Sequence, residues 1–501
     1  MRREPIRVAI IGAGIIGASI SRVLSMFEDF EVILVEKEAD VGWGVSKANT
    51  GIIHAGYDDE PELYPLRAKL CVRGNEIWRK WADELDIPVR WCGSLALAFN
   101  EDEVNILKTL LSRGLRNGVS GLKIVEAEDI KALEPNASRD AVAALWAPTA
   151  GQISPWDAVI ALVENSVANG VKLYLSTEVK GIRIKDGKIL GLETNRGFLR
   201  ADWVINASGI YADKIAEMVG IRGYRIRPRK GEYIIFDKEA EPKVTRVLFP
   251  TPTPISKGVV VTTTVDGNLM IGPSAEDLNE DLREERSNTK SGLDYVWASA
   301  SKLVDRLPSK SMIIRFFAGL RPEPTGGDFI VRGYDEVYGF IDAAGMRSPG
   351  LTAAPAVAHM VSEILRSLID RELKRKDSWN PYRKRMIRFS ELTHSERSAL
   401  ISKDPRYGRI VCVDEMVTEM EVIEAIKRGA TTIDGIKFRT RACMGKCQGS
   451  SCMHKIALIL SRELGIPLWR VSVKGPGTEI GIGDIKVLFE EGDQCGRCRE
   501  T

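Results

Sequence analysis

The chain has 501 residues, enough to bury a large core and to divide into two to four domains. Its 71 basic and 69 acidic residues leave a formal net charge of +2, so no broad field draws it to nucleic acid or an anionic surface, and any anion must be met by a local pocket. The N-terminus runs MRREPI straight into an apolar strand without the h-region that export requires, and no run approaches the roughly twenty apolar residues of a membrane span, so a cytoplasmic chain is expected, with at most peripheral membrane association.

The first forty residues carry the plainest signal. Val8 to Ile11 is a buried-strand run, Gly12, Gly14 and Gly17 make G-x-G-x-x-G, a helical pattern continues to about Leu24, and EVILVEKE forms a second strand ending in Glu36. Gly12 permits a tight turn, Gly14 lets backbone approach a pyrophosphate, Gly17 lets helix pack on strand, and the helix N-terminus favours phosphate charge. Glu36, nineteen residues past Gly17, is placed to accept hydrogen bonds from a ribose, and Lys37 beside it is a further candidate contact. Strand, turn, helix, strand and acid together predict a dinucleotide site.

Two later segments decide which dinucleotide. WVINASGIYADKIAEMVG, from Trp203 to Gly220, is an apolar strand leading through Ser208 and Gly209 into a helix, a second turn that can return to the same cofactor. In YGFIDAAGMRSPGLTAAPAVAHMVSEIL a strand passes Gly345 and Gly350, with Leu351 and Thr352, into a long helix from about Ala354. A cofactor touched by three widely separated segments fits FAD better than a nicotinamide.

Beyond the main body, RSLIDRELKRKDSWNPYRKRMIRFSELTHSERSALISKDPRYG reads as a charged linker with short helices. Its basic run is flanked by acids and reads as a solvated face, so no nucleic acid is expected. Then IVCVDE opens as a strand, Thr418 with Glu421 forms a capping box for a helix through about Lys427, and a helix from about Ser451 to Glu463 closes the segment. Between them, RACMGKCQGSSC sets Cys443, Cys447 and Cys452 at C-x3-C and C-x4-C spacings, with Cys412 thirty-one residues before the first. In a reducing compartment such thiols read as metal ligands or redox groups. Four thiolates suit an iron–sulfur centre or a structural zinc equally well on donor chemistry. Cys71 and Cys92 read as packing residues, and the tail CGRCRE adds a C-x-x-C, Cys495 and Cys498.

From residue 6 to about 370 the chain resembles the D-amino-acid-oxidase-type FAD-dependent oxidoreductases, in the branch of glycerol-3-phosphate dehydrogenases and oxidases and 2-hydroxyglutarate dehydrogenases. NTGIIHAGYDDEPELYPLRAKLCVRGN, RPRKGEYIIFDK, FAGLRPE and SPGLTAAPA, in that order, carry the likeness. Residues 408 to 465 resemble the bacterioferritin-associated-ferredoxin-like [2Fe-2S] module fused behind anaerobic glycerol-3-phosphate dehydrogenase large subunits.

The resemblance implies a fold of α/β and α+β class: a Rossmann-type FAD-binding domain (1–95, 150–225 and 330–372) with an inserted antiparallel-sheet substrate domain (96–149 and 226–329). A linker (373–407), a small mainly helical iron–sulfur module (408–465) and a tail (466–501) follow. It implies oxidation of sn-glycerol 3-phosphate to dihydroxyacetone phosphate by hydride transfer to FAD, with electrons passing through the cluster to a partner such as a flavoprotein or ferredoxin-like subunit, and an oligomer. A 2-hydroxy acid or an amine such as proline are the alternative substrates, and a non-catalytic electron-transfer or scaffold subunit is the alternative of another class. By the same resemblance His54 is the base, an imidazole suited to taking a hydroxyl proton near neutral pH. Thr50 orients substrate or flavin, and Arg321 and Lys257 hold the substrate anion. Ser348 adds a hydroxyl, and Arg347 departs from the usual acidic or histidine residue with a charge suited to a dianion. In the module, the family's first pair is C-x-C, whereas this chain has Cys412 followed by Asp414. Cys443, where relatives commonly have glycine, is expected to complete the set with Cys412, Cys447 and Cys452, Asp414 being the other possible ligand.

Overall fold

The computed structural model describes residues 4–253, 257–369 and 372–483. They form two compact units, one ending at Arg385 and the other beginning at Met386. Cys495 and Cys498 lie outside the described residues.

The first unit is organised by a six-stranded sheet in the order Ile330–Gly333, Phe340–Ala344, Trp203–Asn206, Ile6–Ile11, Phe30–Val35, Lys172–Tyr174. All neighbours run parallel except the first pair. Buried on both faces, these strands read as continuous apolar runs with no alternation, which is why VAII and VILV are legible as strands. Parallel pairing brings the carboxyl ends of Ile6–Ile11, Phe30–Val35 and Trp203–Asn206 to one edge, where open α/β sheets place their ligands. The turn after Ile11, Glu36 and Ser208 meet there although they are far apart in sequence.

The second large sheet has nine strands, with Ile226–Phe236 paired antiparallel to Ile313–Pro324 over its whole length. It is the antiparallel sheet expected from the sequence with one exception: Ser94–Ala98 and Val247–Pro250 run parallel. Its apolar face packs on the helix Lys290–Ala300 through Phe236, Ile271, Val296 and Ala300. A small sheet, Ile52–Ile53 with Gly151–Ile153 and Val89–Arg90, holds the segment that leads into His54.

The helix Gly350–Leu368 begins four residues before the expected start and contains Pro355. Proline lacks the N–H that would bond the carbonyl of Leu351. That carbonyl instead accepts from Trp78 Nε1 at 3.0 Å, so the helix continues through the proline. Its neighbour Pro65–Glu84 approaches closely at Gly74, where a Cβ would lie 2.0 Å from the Thr352 carbonyl oxygen.

Residues 373–385, the first part of the expected linker, are bound to the first unit. Lys376 N donates to the Met26 carbonyl, Trp379 Nε1 to Ser25 Oγ and Arg383 N to the Glu84 carbonyl. From Met386 the chain belongs to the second unit, whose core joins Met386, Val411, Val422, Ile423, Ile456 and Leu460, among others. It contains the hairpin Ile410–Cys412 with Val417–Thr418 and the helices Glu419–Lys427, Ile433–Thr440 and Met453–Leu464. The capping box expected at Thr418 is formed: Glu421 N donates to Thr418 Oγ1 while Glu421 accepts from Thr418 N.

Candidate functional site

At the sheet edge, Gly12 has φ +101°, and a Cβ there would stand 2.6 Å from the Ala207 carbonyl oxygen. A Cβ at Gly17 would stand 1.9 Å from the Gly12 carbonyl oxygen, so both glycines are required by close backbone approach. Glu36 accepts from Ala13 N at 2.8 Å and from Glu38 N at 3.0 Å. Each carboxylate oxygen keeps a second lone pair for a ribose hydroxyl. Burial pushes the Glu36 carboxyl above its ordinary range even with those two backbone bonds, so it gains from further donors. At the start of Ile15–Leu24, Ser46 Oγ accepts from Ile15 N at 2.9 Å. Ser208 donates to Asn206 Oδ1 at 2.6 Å, at the end of the neighbouring strand. A crowded glycine turn, a buried carboxylate with spare acceptor capacity and a helix N-terminus fit a dinucleotide. Lys37 turns away, with Nζ 2.8 Å from Glu38 and 3.3 Å from Glu284.

His54 follows the short strand Ile52–Ile53 and is held on all sides. Its N–H donates to Thr352 Oγ1 at 2.9 Å, its carbonyl accepts from Asn75 Nδ2 at 2.9 Å, and Nε2 lies 3.3 Å from Ser348 Oγ. Nδ1 stands 3.6 Å from Asp58 Oδ2. Burial and the nearby Lys257 ammonium lower the imidazole to about 4, outweighing Asp58 and Asp59, so it is neutral and able to take a proton at neutral pH.

The face presented by the long strand pair follows from period two and direct pairing. Gly231 sits opposite Gly319, Tyr233 opposite Phe317 and Arg229 opposite Arg321. Tyr233 and Phe317 stack with ring centres 4.5 Å apart. The glycine pair leaves a slot: a Cβ at Gly319 would stand 1.9 Å from the Ala48 carbonyl oxygen, and one at Gly231 would stand 2.5 Å from Arg321 Nη2. Arg321 lies in that slot, donating to the Ser274 carbonyl at 2.8 Å, and it has no carboxylate partner among the described residues. The Tyr233 hydroxyl interacts with Thr50 and Arg321.

Lys257 Nζ is 3.4 Å from Asp58 Oδ2 and 3.7 Å from Asp59 Oδ1, both beyond ordinary hydrogen-bond length. Arg347 is bound to Glu323 Oε2 at 2.6 Å, so its charge is largely met, although its Nε finds no hydrogen-bond partner among the described residues. Asp59 is paired with Arg67, whose guanidinium also lies over the Tyr64 ring at 4.5 Å. Asp58, Asp59, Arg67, Tyr233 and Ser46 were not singled out by sequence reasoning. The one available signal was the acidic pair directly after HAGY.

In the second unit Cys412, Cys443 and Cys452 are buried, and Cys452 touches the other two in turn: Cys443 Sγ lies 3.4 Å from Cys452 Sγ, and Cys412 is in hydrogen-bonding contact with Cys452. Cys447 Sγ instead faces Ser451 Oγ at 3.2 Å, and no group of three such side chains among the described residues forms a ready-made metal centre. Cys443 has φ +69°, a left-handed conformation that costs a non-glycine residue about 1 kcal/mol or more. The Asp414 carboxylate accepts from Cys447 N at 2.8 Å. Soft thiolates around a glycine-rich loop fit an iron–sulfur cluster by their donor chemistry.

The family model of the FAD dependent oxidoreductases matches residues 7–364, and that of the BFD-like [2Fe-2S] binding domain matches residues 410–462. The chain belongs to the FAD-dependent oxidoreductase family and carries a C-terminal BFD-like [2Fe-2S] domain. It is 43% identical to a glycerol 3-phosphate dehydrogenase of Caloramator mitchellensis over 96% of this chain and 98% of that one. It is 31% identical to the mitochondrial L-2-hydroxyglutarate dehydrogenase of Mus musculus over 53% of this chain and 60% of that one. Among solved structures, the reduced L-alpha-glycerophosphate oxidase of Mycoplasma pneumoniae with FAD bound is 30% identical and superposes with a TM-score of 0.70, covering 77% of this chain and all of that one. Among the described residues no helix is long and apolar enough to cross a membrane.

Proposed function

We propose that this chain oxidises sn-glycerol 3-phosphate to dihydroxyacetone phosphate and passes the electrons through its iron–sulfur domain to a partner acceptor. The observation that carries the reading is a neutral, buried His54 with Nε2 open toward Ser348, in the same unit as an arginine, Arg321, that lacks a carboxylate partner. The glycerol 3-phosphate relatives at 43% and 30% identity support the substrate.

A secondary alcohol loses one proton and one hydride. His54 Nε2 takes the hydroxyl proton, with Ser348 Oγ as hydrogen-bonding neighbour and Thr352 fixing the backbone of the base. FAD, when bound, supplies the hydride acceptor. Arg321 meets the phosphate with its planar fork, and Lys257 adds an ammonium that its loosely held carboxylates can release. Thr50, through Tyr233, keeps Arg321 in place, and Arg347 contributes field more than a direct bond. Gly12, Gly14, Gly17, Glu36, Ser208, Gly209, Gly345, Gly350, Leu351 and Thr352 are assigned to the cofactor. Cys412, Cys443, Cys447 and Cys452 are assigned as cluster ligands. Asp414 is assigned a supporting role because its carboxylate is already engaged by Cys447 N.

Mixing the purified holoprotein anaerobically with glycerol 3-phosphate tests the proposal. Rapid bleaching of the oxidised flavin band supports it. A flavin that stays oxidised with glycerol 3-phosphate but bleaches with a 2-hydroxy acid or an amine replaces the substrate. One that bleaches with none of them points to an electron-relay subunit.

A further inference from the structure

We propose that Asp58 is a positioning residue of this oxidation: a single carboxylate oxygen shared between the His54 imidazole and the Lys257 ammonium. Capture of the substrate anion by Lys257 then leaves that oxygen to hold the base. The inference rests on His54 being the base and Lys257 an anchor.

The same atom, Asp58 Oδ2, stands 3.6 Å from His54 Nδ1 and 3.4 Å from Lys257 Nζ. The Asp58 side chain is only 13% exposed, and neither contact is a short, committed hydrogen bond. Its neighbour Asp59 differs, because Arg67 from the helix Pro65–Glu84 already pairs with it. Arg113 of the helix Glu101–Arg116 also faces Asp58, but it donates to the Asp58 carbonyl at 2.9 Å and to Glu60, so among the described residues the Asp58 carboxylate is left to the histidine and the lysine. Cys71 and Tyr57 are further titratable neighbours among the described residues, and burial pushes both up, which keeps them neutral. Ser348 and Thr352 face His54 with uncharged hydroxyls.

A carboxylate beside Nδ1 favours the tautomer with the proton on Nδ1 and leaves the Nε2 lone pair for the substrate. During oxidation the substrate O–H bond breaks and an Nε2–H bond forms. The resulting imidazolium is stabilised by Asp58, which stays ionised. The Lys257 ammonium opposes that charge in the free protein. A phosphate dianion on Lys257 neutralises it and stops it competing for Asp58, so binding at the anchor strengthens the base.

The test is stopped-flow flavin reduction by glycerol 3-phosphate across pH, with full-length, FAD-loaded Asp58→Asn and Asp58→Glu. Asp58→Asn should retain FAD and slow reduction roughly 10- to 100-fold, as expected for a weakened general base. Its acid limb should move to lower pH, because removing a negative charge makes the imidazolium harder to form. Asp58→Glu, which keeps the charge, should recover much of the rate. A purely structural aspartate would not move the acid limb. Wild-type rate and pH profile in Asp58→Asn would overturn the proposal, as would loss of FAD from both variants. Failure of glycerol 3-phosphate to reduce the wild-type flavin would instead overturn the substrate reading.

Discussion

Arg321 differs from the other cations of the site in what it touches. Lys257, Arg67 and Arg347 each face a carboxylate, whereas Arg321 spends one Nη2 donor on a carbonyl. Arg321→Ala is therefore expected to lower kcat/KM for glycerol 3-phosphate tenfold to a hundredfold, about 1.4–2.8 kcal/mol, chiefly through KM. Lys257→Ala should also raise KM if the anion is a phosphate, and much less if it is a carboxylate. Steady-state kinetics with both substrate types separates these outcomes. Asp342, in the strand Phe340–Ala344, supplies a pH dependence of another kind. Burial pushes its carboxyl up to about 6, only partly offset by donors on Tyr334 and Asn206. Because that value lies above the unfolded one, near 4, the stability linked to its proton is present below about pH 4 and is lost as pH rises through about 6. Asp342→Asn should flatten that part of the profile, read as the urea midpoint between pH 4 and 7. An unchanged profile would mean other groups dominate the interval. His54, Ser348 and Thr352, each singled out in the sequence, come together in the fold, with His54 in contact with the other two. Asp58, Arg67 and Tyr233 also lie inside motifs but were not singled out, because their meaning lies in partners brought together from elements far apart in the chain.

Elements were legible where one physical signal dominated. The buried parallel strands declared themselves by uninterrupted apolar runs, and the glycine turn by its spacing. The start of Gly350–Leu368 was misplaced because Pro355 normally marks a helix beginning, and nothing local reveals that Trp78, far away in sequence, caps the stranded carbonyl of Leu351. Trp78→Phe removes that donor and is expected to cost about 1–3 kcal/mol from the unsatisfied buried carbonyl. Thermal unfolding of the holoprotein checks this, and a shift too small to measure would mean the carbonyl finds another partner. The slot formed by Gly231 and Gly319 was equally invisible, since it depends on the register of two strands. Gly231→Ala would press a methyl group against Arg321 and Pro273, displacing the guanidinium while sparing the strand ladder. The expected result is a raised KM with FAD content unchanged, and an unchanged KM would remove Arg321 from anion binding.

At the scale of the whole molecule, chemistry that removes two electrons at once is carried by the same chain as a centre that accepts one. Cys443 holds a left-handed backbone conformation natural to glycine while its sulfur meets Cys452. Such strain persists where a function requires it. Cys443→Gly should therefore lower the iron content while leaving the cluster-free chain at least as stable. Asp414→Asn, which keeps an acceptor for Cys447 N, should leave the iron content unchanged. Equal iron in wild type and Cys443→Gly would return the ligand role to Asp414. The same pair of variants counts the electrons. Anaerobic titration with glycerol 3-phosphate should end with about three electrons stored per wild-type chain, two on FAD and one on the cluster, and about two in Cys443→Gly. The initial rate of flavin bleaching should be the same in both, because the proton and hydride leave the substrate in the first unit alone. A wild-type end point of two electrons, with the cluster signal unchanged by substrate, would break the proposed route from flavin to cluster while leaving the oxidation itself intact.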